Sequence, residues 1–211
     1  MNLQDRLTSF AMLGAEWVMW LLVGLSIICV AIVLERLFYF ARSRDDAERL
    51  QRVLRKHLQQ GDTVAALKAM AASPSVEARV AASALGVLED GADSVQEHVL
   101  GERIVVKTNM ERGIAFLGTV GNNAPFVGLL GTVIGIIQAF AALNASAGQV
   151  TTGLMATVGE ALVATAIGIL VALPAVAAYN YFQRLIKTRL SWAEALCLDV
   201  LAHLRSTRGE V

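Results

Sequence analysis

Glu160 is the only charged side chain in the 71 residues from 113 to 183, and the rest of this stretch is strongly apolar. The whole chain of 211 residues is 55% hydrophobic with a mean hydropathy of +0.56, which is too apolar for a soluble domain of this size. A charged group at the centre of a bilayer costs at least ~2.5 kcal/mol, so a lone acid within a span is a candidate functional residue. The sequence therefore predicts an integral membrane protein in which Glu160 has a function.

The fold class expected from these patterns is all-α, with three transmembrane helices and a helical cytoplasmic extension. Residues 17–34 carry no charge and predict a first span over 17–40. A secretory signal peptide fits this stretch less well, because no clear small-residue cleavage site follows it. The second span is predicted over 114–143, with its membrane part near 124–143, and the third over 154–182 with a kink at Pro174.

The remaining segments are more polar or lie between spans. We expect a periplasmic segment with a short interfacial helix at 1–16, a periplasmic hairpin at 144–153 and a cytoplasmic C-terminal helix at 183–211. The cytoplasmic region 41–113 is predicted to contain two or three helices. Its expected breaks are at Gly61, Pro74 and Gly91.

The helix that leads into the second span is expected to start within this polar region. Ser94 followed by Glu97 has the spacing of a capping box, and the pattern beyond it predicts one helix that continues to about Leu143. Such a helix would be about 75 Å long at 1.5 Å per residue, and it would project well beyond the bilayer.

The basic residues predict the orientation. Residues 41–112 contain 11 of the 18 basic residues, whereas 1–16 contain only Arg6 and 144–153 contain none. Because basic residues favour the cytoplasmic side, the N-terminus is predicted to be periplasmic and the C-terminus cytoplasmic.

Small residues form a stripe with steps of three and four on each of the two later spans. In lipid, helices are held together by close packing of small residues rather than by a hydrophobic drive. Packing within one protomer is the favoured interpretation of the glycines and alanines. The stripe on the second span contains Gly121, Pro125, Gly128, Thr132, Gly135, Ala139 and Ala142, with Gly131 adding a G-x-x-x-G spacing, and the third span has Ala161, Thr165, Gly168, Ala172 and Ala175.

Thr132 and Thr165 place hydroxyl groups in the middle of these stripes. Two hydroxyls on facing stripes beside an intramembrane acid suggest a polar lining, but a threonine can also bond to its own helix, so pore lining and packing remain equally open. Glu160 lies five residues before Thr165, which is ~140° around a helix. The two side chains therefore cannot both point squarely into one narrow pore, and Glu160 is expected to face a neighbouring helix or subunit.

Several other classes of function are disfavoured by the sequence. Cys29 and Cys197 lie far apart and the three histidines form no paired motif, so neither a disulfide framework nor a metal site is predicted. The formal net charge is zero, which gives no reason to expect a nucleic-acid partner. Nucleotide-binding and nucleophile motifs are not recognisable, so we expect neither a cofactor nor an enzymatic activity.

Two runs of sequence carry a family resemblance. APFVGLLGTVIGIIQAF at 124–140 and GEALVATAIGILVALPAVAAYN at 159–180 resemble the ExbB/TolQ branch of the MotA/TolQ/ExbB proton-channel family. The resemblance covers both later spans in their order, and it also fits the large polar loop after the first span and the basic residues after the third.

This resemblance implies a homopentamer whose second and third helices surround a central pore. The pore would enclose the single transmembrane helices of an ExbD- or TolR-like partner that supplies a protonatable aspartate. By motif position, Thr132 and Thr165 correspond to the pore-lining threonines of the family, and Glu160 corresponds to its intramembrane glutamate.

The function implied is that of a stator subunit of a proton-driven motor in the inner membrane of a Gram-negative cell. It would couple the proton-motive force to a TonB- or TolA-like protein that acts on the outer membrane, for example in TonB-dependent uptake. TolQ-like envelope maintenance and cell division, or a gliding-motility motor, remain alternatives. A passive oligomeric scaffold is a third hypothesis, and proton and sodium are not distinguished.

Overall fold

The regular structure of this protein is helical throughout the part described by the computed structural model, which comprises Gly14, residues 16–146 and residues 149–208. Three of the helices are long and apolar enough to cross a membrane, which confirms the predicted all-α class with three candidate spans. The helices are α1 (Glu16–Arg42), α2 (Ala47–Gln59), α3 (Thr63–Ala71), α4 (Val76–Gly86), α5 (Ala92–Glu111), α6 (Ile114–Ala145) and α7 (Thr152–Arg208), with a 3₁₀ turn at Leu88–Asp90.

The chain divides into two compact units. The first, which we call the apolar unit, contains the described residues of Met1–Leu34 together with Gly113–Asn180. The second, the polar unit, contains Glu35–Arg112 and the described residues of Tyr181–Val211. The third candidate span and the predicted C-terminal helix are parts of one continuous helix, α7, which runs through Pro174.

The apolar unit has a narrow core and an apolar surface. Small side chains such as Ala124, Ala161 and Ala164 are buried between the helices, together with Val18 and Leu22 of α1. Large apolar side chains remain exposed on all three helices, which is the distribution expected where lipid or another subunit covers the surface. Examples are Ile27 and Val30 on α1, Phe126 and Phe140 on α6, and Leu162, Leu170 and Leu173 on α7.

The polar unit is built from amphipathic helices in the manner of a soluble protein. Leu50, Leu54 and Leu58 repeat every four residues and form the buried face of α2. The next two helices, α3 and α4, each begin with a side-chain cap. The Asp62 carboxylate accepts a hydrogen bond from the Ala65 N–H at 2.8 Å, and the Ser75 hydroxyl accepts one from the Ala78 N–H at 3.2 Å.

The prediction of two or three helices in region 41–113 was too low, because the structure has four. Gly61, Pro74 and Gly91 do lie between helices as expected, but every segment between these breaks is long enough to form its own helix. The proposed capping box at Ser94 is wrong. Helix α5 already begins at Ala92, directly after Gly91, whose φ of 102° ends the preceding turn.

The expected continuous helix into the second span is also broken. α5 ends at Glu111 and α6 begins at Ile114, with Gly113 in the left-handed region at a φ of 75°. In an unbroken helix the Asn109 carbonyl would accept a hydrogen bond from the N–H of residue 113. Here it accepts one from Nη1 of Arg36 at 2.9 Å, so a buried arginine replaces the missing backbone donor.

Some expectations concern residues outside the described part of the chain. The short interfacial helix predicted at 1–16 falls almost entirely on such residues, with only Gly14 and Glu16 described. The hairpin predicted at 144–153 is described except for residues 147 and 148. Within it, α6 ends at Ala145 and α7 begins at Thr152. The periplasmic and cytoplasmic assignments of all these segments remain predictions.

Gly113→Ala should lower the stability of the folded protein by about 1 kcal/mol, because an alanine side chain is strained in the left-handed region. Gly101→Ala is the matched control. It lies inside α5 with no atom within 4 Å of an added Cβ, so it should raise stability by about 0.5 kcal/mol. Thermal unfolding midpoints of the two purified variants measure the difference, and equal effects would contradict the assignment of a left-handed break at residue 113.

Candidate functional site: the contact between α6 and α7

Glycines bring the backbones of α6 and α7 together within the apolar unit. A Cβ added to Gly128 would lie 2.8 Å from the Ala164 carbonyl oxygen, and one added to Gly168 would lie 2.7 Å from the Ala124 carbonyl oxygen. These obstacles are backbone atoms, which cannot rotate away. The helices therefore touch at a distance that only glycine permits at these two positions.

The rest of the small-residue stripe extends this contact in both directions. A Cβ on Gly135 would lie 2.5 Å from the Ala161 Cβ, and a Cβ on Gly131 would lie 2.8 Å from the Ala164 Cβ. Gly131 also faces Val18 of α1, at 3.3 Å. Gly121 faces Val176 in the same contact, and the stripe residues Ala139, Ala172 and Ala175 are buried, whereas Ala142 is exposed. The stripe accordingly packs α6 against α7 within one protomer.

Two prolines accompany the contact. Pro125 lies inside α6 and Pro174 lies inside α7. Proline lacks a backbone N–H, so each removes one hydrogen bond from its helix. Both helices continue past their proline, which is common where neighbouring helices and side chains compensate for the missing bond.

Thr132 and Thr165 meet directly across this contact. Their Oγ1 atoms are 2.9 Å apart, and either can be the donor. The Leu129 carbonyl lies 2.8 Å from Thr132 Oγ1, and the Gly128 carbonyl, on the opposite helix, lies 3.1 Å from Thr165 Oγ1. Thr132 is buried and Thr165 is half-buried. Both hydroxyls therefore find partners within one protomer, and the pair links α6 to α7.

Glu160 lies apart from the threonine pair. It is exposed on α7 and borders a groove of about 330 Å³ that it shares with Met19, Trp20 and Val23 of α1. The ~140° separation expected from helical geometry agrees with this arrangement, because Thr165 faces α6 whereas Glu160 borders a groove beside α1. The structure therefore brings the two threonines together and does not join Glu160 to them.

Glu16 borders the same groove as Glu160 but is not among the site residues predicted from the sequence. It is the first residue of α1 and was assigned to the polar segment that precedes the first span. A pair of residues so far apart in the chain leaves no periodic signal. Only the packing of α1 beside α7 shows that two carboxylates share one groove.

With this geometry established, comparison with known proteins identifies the family. The model of the MotA/TolQ/ExbB proton channel family matches residues 48–195, which includes α6 and the apolar part of α7.

The chain belongs to the MotA/TolQ/ExbB proton channel family.

Its relatives indicate the branch within this family. The chain is 30% identical to the biopolymer transport protein ExbB of Neisseria meningitidis over 196 residues, in an alignment that covers 88% of each chain. It is 48% identical to the ExbB protein of Xanthomonas campestris over 77 residues, but these cover 36% of this chain and only 30% of that protein. The ExbB protein of Pseudomonas putida is 44% identical over 105 residues, or 31% of its length. The resemblance to the ExbB/TolQ branch is thereby confirmed.

Gly128→Ala should destabilise the protein by about 1 to 3 kcal/mol, because the new methyl group must push α6 away from α7. Gly159→Ala is the matched control on α7, since an added Cβ there meets no atom within 4 Å. The measurement is the thermal unfolding midpoint of each variant in the same detergent. Equal midpoints would show that the two backbones are not in close contact at Gly128.

Proposed function

We propose that this chain is the channel-forming stator subunit of a proton-driven inner-membrane motor of the ExbB type. Its family membership and its length-wide similarity to a protein named ExbB support a role in energising transport. The observation that carries the mechanism is the position of Glu160, an exposed carboxyl on a helix suited to span a membrane. Exposure to hydrocarbon is costly for such a group, so a neighbouring subunit, a partner helix or water must cover it.

The proposed assembly is a homopentamer around a central pore. Closed rings form when the same pair of surfaces repeats between subunits, and the exposed apolar faces of α1, α6 and α7 offer extensive surface for such contacts and for lipid. Within the pore we place the single membrane helices of an ExbD- or TolR-like partner. Since Glu160 is the only acid in residues 113–183, a carrier acid on the partner helix is a natural complement.

We assign Glu160, Thr132 and Thr165 to the proton pathway in different roles. Glu160 is the ionisable group, exposed to what surrounds the protomer. The threonine pair is linked at 2.9 Å and fixes α6 against α7, while the half-buried Thr165 borders the pathway. Small residues and prolines set the spacing and course of α6 and α7, the helices that form the wall of the proposed pore. These residues are Gly128, Gly131, Gly135, Gly168, Ala161, Pro125 and Pro174.

The energy available is sufficient for mechanical work. A unit charge that crosses 100 mV releases about 2.3 kcal/mol, so a few protons supply enough free energy to move a partner helix or domain. In this proposal the N-terminus is periplasmic and the C-terminus cytoplasmic. The force passes to a TonB-like protein that spans the periplasm and drives uptake through the outer membrane. A TolA-like connection for envelope maintenance would use the same pore.

A passive scaffold is the second candidate, and one observation favours it. The hydroxyls of Thr132 and Thr165 both have partners within the protomer, so neither requires a pore to explain its burial. A scaffold does not need a titratable group at residue 160. The two candidates therefore predict opposite results for a substitution that removes the charge but keeps the shape.

Glu160→Gln should reduce proton flux by at least about tenfold, the scale expected when a positioned proton-transfer group is lost, while the assembly stays intact. Thr165→Val should also reduce the flux strongly, because valine keeps the shape of threonine but cannot hydrogen-bond to Thr132. Proton uptake into proteoliposomes that contain the chain and its co-purified partner is the measurement, with native mass spectrometry to count subunits.

The matched control is Thr119→Val on the same helix as Thr132. Thr119 is exposed and donates only to the Ala115 carbonyl, at 3.0 Å, so its loss should leave the flux unchanged. Wild-type flux in both Glu160→Gln and Thr165→Val would refute the channel role and favour the scaffold. A mass that corresponds to a single chain would refute the pentamer independently of the flux.

A further inference from the structure

A buried arginine in the polar unit anchors α7 to the end of α1. Arg189 is 7% exposed, and its Nη2 donates to the Phe40 carbonyl at 2.9 Å. Its Nη1 donates to the carbonyl and the hydroxyl of Ser43, at 2.8 and 2.9 Å. The guanidinium also lies over the Phe40 ring, at 5.3 Å from the centroid. Carbonyls at a helix C-terminus carry partial negative charge, so these contacts stabilise the Arg189 cation.

Glu77 is buried beside this arginine but is poorly paired with it. Glu77 is 5% exposed and lies in the first turn of α4. Its Oε1 is 3.9 Å from Nε of Arg189, which is the outer limit of an ion pair and too long for a hydrogen bond. Its Oε2 is buried and, among the described residues, has no hydrogen-bond partner. A buried carboxylate oxygen in this situation is costly when ionised.

A second acid makes the ionised form of Glu77 still less favourable. Asp45 Oδ2 accepts a hydrogen bond from the Ser73 hydroxyl at 2.6 Å, and this bond lowers the pKa of Asp45. Asp45 therefore stays negatively charged at neutral pH, and its charge acts on Glu77. The groups that act on Glu77 are thus Arg189 from α7, Asp45 from the segment before α2, and Ser75 with the Glu77 backbone N–H at the start of α4.

These effects do not cancel. Burial raises the pKa of Glu77 and is the largest influence, and the Asp45 charge acts in the same direction. The backbone N–H, the Arg189 charge and the Ser75 hydroxyl oppose it but are weaker. The net result is a pKa above the usual value for a glutamate.

We propose that Glu77 is a proton-binding site of the polar unit, and that its deprotonation loosens the packing of α4 in this unit. The protonated carboxyl suits its buried position because it carries no charge, and Arg189 keeps its three acceptors whether or not Glu77 is charged. The proton is bound more tightly in the folded unit than in the unfolded chain. The resulting stabilisation is therefore complete below the ordinary glutamate pKa of about 4.3 and is lost as the pH rises through the higher folded value.

The test uses hydrogen exchange of the whole chain in nanodiscs across a range of pH, corrected for the intrinsic pH dependence of exchange. Protection of the α4 amides should fall by on the order of tenfold as the pH rises through the titration of Glu77. Glu77→Gln, which keeps the shape but cannot ionise, should remove this fall and keep α4 protected at high pH. Glu48→Gln is the matched control, because its side chain is 71% exposed, and it should behave as the native chain does.

Two further measurements keep the test decisive if Glu77→Gln does not fold. Asp45→Asn should move the loss of α4 protection to lower pH, because it removes a negative charge that disfavours ionised Glu77. Infrared difference spectra of the native chain should show a protonated-carboxyl band that disappears over the same pH range. An unchanged pH dependence in Glu77→Gln or in Asp45→Asn, or the absence of the band, would overturn the proposal. The result does not depend on the proposed channel function, because neither hydrogen exchange nor infrared spectroscopy requires proton flux or a partner protein.

Discussion

The contact between α6 and α7 depends on glycines that allow two helix backbones to touch in a lipid environment. No hydrophobic force drives helices together in hydrocarbon, so the attraction must come from many short-range contacts and from hydrogen bonds. At Gly128 and Gly168 the obstacle is the opposite backbone itself, because an added Cβ would lie within 2.8 Å of a carbonyl oxygen on the opposite helix. The 2.9 Å contact between the hydroxyls of Thr132 and Thr165 exists only because the backbones are this close.

The polar groups of the apolar unit occupy two different places relative to this contact. The threonine hydroxyls lie at the helix contact and find partners within the protomer, whereas Glu160 borders a groove beside α1 and is exposed. An exposed carboxyl that takes no part in the helix contact can respond to a neighbouring subunit, a partner helix or a proton. In the motor that we propose, the threonine pair and the glycines hold α6 against α7 in the wall of the pore, and the Glu160 carboxyl is the ionisable group.

The polar unit uses a different means to hold its helices. Two buried arginines donate to carbonyls near helix C-termini, Arg36 to Asn109 in α5 and Arg189 to Phe40 in α1. Both bonds join segments far apart in the chain and satisfy carbonyls that helix ends leave without backbone donors. Glu77 gains little from this arrangement, since Nη1 and Nη2 of Arg189 already donate to Phe40 and Ser43 and its Nε lies 3.9 Å from the carboxylate. Because the ionised Glu77 carboxylate is buried and poorly paired, the protonated form is favoured at this position.

The sequence determined the features that depend on local composition and period. The three apolar stretches predicted the long helices, the steps of three and four predicted the small-residue stripes, and the runs at 124–140 and 159–180 identified the family. The breaks at Gly61, Pro74 and Gly91 were also local, because glycine and proline act on their own backbone. Only the tertiary structure decided the hydrogen bond of Arg36 to Asn109 beside the break at Gly113, the shared groove of Glu16 and Glu160, and the burial of Glu77 beside Arg189. Each of these joins residues distant in the chain or depends on burial by other helices, and neither property leaves a periodic signal in the sequence.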